Sequence, residues 1–255
     1  MNHSKRVTLL LTVPILLGLG TVIALRGCGP IGRNDLPDGT ATALSQQGKT
    51  EVEQMMYRWL EGGPCKPPCW EGITPGQTTI TEALTILERH SLVTNLETVI
   101  PARSDTGATY WDWKRVNGGG GFVGFYVGQT VYEVCVADPF HFLTFHDVIE
   151  AYGEPSHVYA WAGPSTDGRD TVYWLEIVYV PQGFVLHWSK THRAGEEVKP
   201  EFGPQWRDFG LCFFEPTKEG FALSWGNLGV ADSLIPWRGM LGFDDYCQGS
   251  RCGSR

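Results

Sequence analysis

Cysteine is the residue type most able to do chemistry in this 255-residue chain, which holds seven: Cys28, Cys65, Cys69, Cys135, Cys212, Cys247 and Cys252. Two of them fall in CKPPCWEGITPGQTT, residues 65–79, a stretch dense in thiols, prolines and turn residues. Three chemistries compete for it. A thioredoxin-like redox centre needs Cys-x-x-Cys at the start of a helix, whose N-terminus depresses a thiol pKa; Cys65 and Cys69 have a wider spacing and open no helical pattern. Zinc needs about four ligands, and no second cysteine or histidine pair lies at a suitable spacing nearby. Pro67 and Pro68 fix two φ angles between the thiols, which limits the cost of closing a tight ring. The spacing therefore predicts a structural disulfide. With Cys28 set aside as membrane-proximal, six cysteines remain, and six allow about fifteen pairings. Cys65 with Cys69 and Cys247 with Cys252 are the local candidates, leaving Cys135 for Cys212; buried free thiols are the alternative.

Other polar clusters carry less. HFLTFHD places His141, His146 and Asp147 together, but two fall on the first turn of a helical pattern and His141 precedes it, so solvated side chains are expected rather than a metal site. Gly118 to Gly121 lack the Gly-Lys-Ser/Thr of a phosphate loop and read as a hairpin connection. Neither Gly-x-Ser-x-Gly nor His-Glu-x-x-His occurs. Catalytic, cofactor and metal residues are accordingly not expected, and an enzyme is the minority reading.

The N-terminus sets the compartment. Lys5 and Arg6 precede Val7 to Leu25, nineteen residues without a charge, which as a helix would span roughly 28 Å, close to the hydrocarbon thickness of a bilayer. A single membrane anchor with the remainder outside the cytoplasm follows from the flanking charges. LRGC, Leu25 to Cys28, resembles the lipobox of bacterial lipoproteins, in which a small residue precedes a lipidated cysteine; Arg26 departs from that pattern. Lipidation at Cys28 and an uncleaved helix both stay open. Either way an even set of six exported cysteines suits an oxidising compartment. Beyond residue 28 the 20 basic residues lose Lys5, Arg6 and Arg26, so 17 stand against 28 acidic ones, a formal charge of −11. Such a surface repels phosphate backbones, and nucleic acid is excluded as a partner.

Residues 29–49 have no apolar periodicity and read as a linker. Three capped amphipathic helices are predicted after it. Thr50 with Glu53, Thr79 with Glu82, and Thr144 with Asp147 each form a capping-box pattern ahead of an i, i+3, i+4, i+7 apolar stripe. Thr79 and Thr144 stand 65 positions apart with all four stripe residues in register, which suggests an internal repeat. Strand-like runs follow the second helix at 109–115, 121–127 and 130–136, and the third at 157–162, 171–180, 183–189 and 208–214. Trp111, Trp113 and Trp174 lie in these runs, with Tyr173 and Leu175 alternating against the last. They put rings on both faces of strands, one covering helices, the other a second packing layer or an aromatic platform for sugar rings or a protein. Residues 236–247 read as a strap over the sheet, tied by Cys247.

ITPGQTTITEAL and LTFHDVIEAYGEPSHV resemble the repeat of bacterial envelope lipoproteins of the SmpA/OmlA type, with Thr79, Glu82, Thr144, Gly153 and Pro155 carrying the match. The first copy has Glu88, Arg89 and His90 where a Gly-x-Pro exit belongs. Two such units in tandem are similar to the β-lactamase inhibitor protein fold. The resemblance implies non-catalytic binding at the cell envelope.

The expected architecture is α+β: an N-terminal membrane helix or lipoprotein signal (1–28), a flexible linker (29–49), then two helix-plus-antiparallel-sheet units in tandem (50–140 and 141–255). The expected function is a membrane-tethered extracytoplasmic binding or scaffold protein with a protein or glycan partner. A carbohydrate- or cell-wall-binding module using exposed strand aromatics is the alternative.

Overall fold

A computed structural model describes residues 46–102, 104–114, 119–137, 142–165, 168–193, 203–207, 209–226 and 228–247. The predicted membrane segment, Cys28 and the linker before residue 46 lie outside them. Among the described residues, no helix is long and apolar enough to cross a membrane.

The chain enters through α1 (Gln46–Leu60) and α2 (Ile80–Arg89), then lays down β1 (Val93–Val99), β2 (Thr106–Trp113), β3 (Gly120–Tyr126) and β4 (Val131–Ala137). After α3 (Phe145–Tyr152) come β5 (His157–Pro164), β6 (Asp170–Tyr179), β7 (Phe184–Arg193) and β8 (Gly210–Phe214). Short elements close the chain: α4 (Lys218–Ser224), β9 (Ile235–Pro236) and α5 (Phe243–Tyr246). All nine strands form one antiparallel sheet in the order β1-β2-β3-β4-β8-β7-β6-β5-β9.

This corrects the tandem. Two helix-plus-sheet units would each own a sheet and a core, whereas β4 and β8 pair through five registered positions, from Glu133 opposite Phe214 to Ala137 opposite Gly210. That ladder fuses the strands on either side into a continuous surface. One hydrophobic core runs beneath it from Trp111 and Val123 through Val134 and Leu211 to Ile177 and Val158. Among the described residues sheet dominates the architecture, with few helices. The physical reason is edge pairing: an open β4 edge and an open β8 edge each present unpaired backbone groups, and joining them satisfies both.

Local rules are obeyed where they were clear. Thr79 Oγ1 accepts from Glu82 N while a Glu82 carboxylate oxygen accepts from Thr79 N at 2.9 Å, and Thr144 and Asp147 repeat the arrangement at 2.7 Å. Gly153 ends α3 with φ 80°. The first helix departs from expectation: it starts at Gln46, so Thr50 lies within it rather than capping it. Two elements carried no clear signal. β1 is bulged between Thr94 and Glu97, which breaks its alternation, and α4 is too short for a periodic stripe.

The three longer helices pack on one face of the sheet. Trp59 of α1 sits among Tyr152 of α3, Phe184 and Phe213, with ring centroids 5.0, 5.3 and 5.7 Å away, and the Tyr152 hydroxyl donates to Trp59 O at 2.6 Å. Cys65 and Cys69 are joined in a disulfide between α1 and α2. The knot delivers Trp70 into the core, where it stacks on Trp111 at 5.4 Å, and places Glu71 between Arg58 and His90. Burial raises the Glu71 pKa, but hydrogen bonds from His90 and Arg58 outweigh it and hold the carboxyl below its ordinary value. CKPPC is thus positioned as a clasp for the helix face. The C-terminal strap covers the same face: Phe243 meets Tyr173 at 5.4 Å, and Trp237 stacks on Tyr246 at 5.9 Å.

Candidate functional site

The chemistry gathers on the opposite face. Period-two alternation sends Glu133 and Cys135 of β4, Cys212 and Phe214 of β8, Val185 and His187 of β7, and Trp174, Glu176 and Val178 of β6 to that side. Register then makes them neighbours: Cys135 lies opposite Cys212, and Glu176 opposite His187. Over these strands lie α4 and the turns after it, with Phe221 against Phe214 at 5.4 Å, Trp225 against Trp174 at 5.4 Å and Tyr159 at 5.1 Å, and Val230 and Leu234 completing the cluster. Thr217 caps α4 by accepting from Gly220 N at 2.8 Å.

Beneath this cover are three buried ionisable groups. Glu176 Oε1 is hydrogen-bonded to His187 Nδ1, while Glu176 Oε2 is buried with no hydrogen-bond partner among the described residues. Burial pushes the Glu176 carboxyl up from its usual value, and the neighbouring His187 only partly offsets this. Glu133 is more isolated. Burial raises its pKa to about 8, a hydrogen bond from the Tyr132 hydroxyl works the other way, and the Glu176 charge adds a further upward push. Burial thus favours the protonated carboxyl over the carboxylate at Glu133.

Cys135 and Cys212 are joined in a disulfide with Cα atoms 4.0 Å apart. Cys135 Sγ lies 3.7 Å from Glu133 Oε2, a contact in which the sulfur can only accept, because a disulfide sulfur carries no proton. A bulge sets this up. The β3–β4 register runs from Gly124 opposite Glu133 to Phe125 opposite Val131, so Tyr132 is extra and leans to the same side as Glu133. Gly124 makes room for both: a Cβ there would stand 2.6 Å from Tyr132 Cζ and 2.8 Å from Glu133 Oε1. Gly124→Ala is expected to destabilise the fold by about 1–3 kcal/mol through this overpacking, read from urea unfolding. Unchanged stability would show that Tyr132 and Glu133 are free to move aside.

The cover stops short of β1 to β3. Tyr110 is 40% exposed, and Glu97 and Asp112 are exposed on the same side. Tyr110 pairs with half-buried Phe122 at 5.7 Å, and half-buried Tyr126 with Tyr132 at 5.2 Å. Val99 adds an exposed apolar side chain at the β1 edge. The open aromatic surface thus belongs to tyrosines and a phenylalanine. Trp111 and Trp113 are 2% and 1% exposed in the opposite core, and Trp174 lies beneath Trp225.

Of the residues picked out in sequence, the structure joins Cys65 to Cys69 and Cys135 to Cys212. Cys247 is disulfide-bonded and buried; Cys252 lies outside the described residues. His141 lies outside them too, His146 is exposed, and Asp147 is spent on the Thr144 cap. Among the described residues no group of three His, Cys, Asp or Glu side chains is placed to hold a metal ion. Glu133, Glu176 and His187 were missed, although YEVC carried a signal: an acid two positions before Cys135 on a strand must share its face. No family model matches the chain, and no curated protein or solved structure is detectably similar to it.

Proposed function

We propose that this chain is a membrane-tethered extracytoplasmic binding protein that recognises a protein partner through the open half of its second sheet face. The observation that carries the reading is the unequal covering of the sheet. Helices and strap pack on one face, α4 and its turns close the other over β4 to β8, and β1 to β3 keep Tyr110, Phe122 and Tyr126 accessible with Glu97 and Asp112 beside them. Rigid rings on a strand scaffold lose little conformational entropy on binding, which suits them as anchors. The acidic rim favours a partner with an apolar centre and basic surroundings. Export is supported by the uncharged Val7 to Leu25 segment and by disulfides at Cys65, Cys69, Cys135, Cys212 and Cys247.

A photo-crosslinking residue placed at Tyr110 of the full chain in its native envelope tests this, with exposed Glu88 of α2 as the control position. The expected result is a discrete protein adduct at Tyr110, none at Glu88, and loss of the adduct when Glu97→Lys and Asp112→Lys are added. A polysaccharide ladder would replace the protein partner with a glycan. An adduct shared by both positions, or none at Tyr110, would overturn recognition by this face.

A further inference from the structure

We propose that Cys135–Cys212 is a reducible disulfide opened by an extracytoplasmic dithiol, with the neighbouring Glu133 carboxyl as the proton donor to the departing Cys135 sulfur. The bridge crosses β4–β8, the ladder that fuses the two strand groups into one sheet, and it sits at the middle one of the five registered pairs. A redox change here acts on the seam of the fold. Cys65–Cys69, by contrast, closes a ring within one short loop.

Geometry assigns the two sulfurs different roles. Both cysteines are buried, Cys212 at 8% and Cys135 at 3% exposure, and the less buried Cys212 is assigned as the sulfur that an incoming thiolate attacks. Cys135 is then the leaving group, and its sulfur lies 3.7 Å from Glu133 Oε2. A thiolate leaving into an apolar site is costly unless it is protonated as it leaves. The dithiol's thiolate attacks Cys212 Sγ, forming a mixed disulfide; the S–S bond breaks, and its electron pair goes to Cys135, which takes the Glu133 proton. The second thiol of the reductant gives its proton to the Glu133 carboxylate and attacks its own linked sulfur. Cys212 is released as a thiolate and takes a proton from solvent. The reductant ends as a disulfide, and Glu133 ends protonated.

Besides burial, Tyr132 and Glu176 are the groups that bear on the Glu133 proton. Tyr132 of β4 donates to it, Tyr126 of β3 and Tyr110 of β2 lie beyond Tyr132, and Glu176 of β6 with its His187 partner on β7 disfavours a second negative charge. On β5, Tyr159 lies opposite Glu176, and His157 is two positions before it; burial, with Lys218 adding to it, lowers the His157 pKa. β8 contributes apolar Phe214, while Lys218 and Glu219 of α4, Glu215 and Asp232 are exposed.

The test is the rate at which dithiothreitol reduces each bridge in the folded full chain, followed by alkylation and mass spectrometry and divided by the thiolate concentration. Cys65–Cys69 in the same sample is the internal reference. For Cys135–Cys212 the rate per thiolate is expected to fall about tenfold between pH 7 and pH 9, as a group titrating at about 8 loses its proton, while Cys65–Cys69 stays level. Glu133→Gln should slow Cys135–Cys212 at pH 7 and flatten its profile. A level or rising wild-type profile, or an unaltered profile in Glu133→Gln, would overturn the assignment. The wild-type measurement decides the matter even if the variant does not fold.

Discussion

Replacing Cys135 and Cys212 together by alanine is expected to lower the unfolding free energy by about 4 kcal/mol. The bridge has a sequence separation of 77, and closing so long a loop removes much of the freedom of the unfolded chain. Chain-entropy reasoning puts a loop of that length at about 4–5 kcal/mol, against about 2 kcal/mol for the Cys65–Cys69 ring with its separation of 4. Alanine leaves no buried hydroxyl behind, and removal of the two buried sulfurs adds a cavity cost to the loss of the cross-link. For a domain of this size the change corresponds to a melting temperature lower by roughly 10 °C. Urea unfolding of the pair variant beside the Cys65→Ala, Cys69→Ala pair checks the ranking, and equal losses from the two pairs would show that loop length does not govern the stabilisation.

Stability should also fall as pH rises, by on the order of 3–5 kcal/mol between pH 4 and pH 9, with Glu133 as the main source. The sign follows from linkage. In the fold Glu133 holds its proton up to about pH 8, whereas the unfolded chain releases it near the ordinary value of 4.5. Between those limits the unfolded chain binds fewer protons, so each step up in pH favours unfolding. The contribution is complete below about 4.5 and is lost as pH passes through 8. Glu176 adds in the same direction, since burial raises its pKa too. Urea midpoints at pH 5, 7 and 9 give the slope, and Glu133→Gln should remove most of it because an amide does not titrate. A slope of wild-type steepness in that variant would move the effect to other groups.

Both expectations rest on one face of the sheet, which explains how much of it could be read in advance. The caps at Thr79 and Thr144 were legible because a capping box involves residues three apart and needs no distant partner. The Cys65–Cys69 clasp was legible for the same reason. Alternation along β4 carries the further signal that Glu133 and Cys135 share a face, a signal the sequence reading did not use. What alternation does not carry is which strand lies next to which. A repeated helix pattern suggested two separate sheets, and only the pairing of β4 with β8 showed a single one.

The sequence by itself determined the uncharged N-terminal segment, the acidic composition beyond residue 28, the helix caps and the local cysteine ring, because each is read from composition or from neighbours within a few positions. Tertiary structure decided that Glu133 is buried beside a disulfide, that Glu176 faces His187, that tryptophans fill one core while Tyr110 stays open, and that nine strands form one sheet. Those facts depend on register and burial between residues tens of positions apart, where the free energy of a contact is set by what the rest of the chain brings against it.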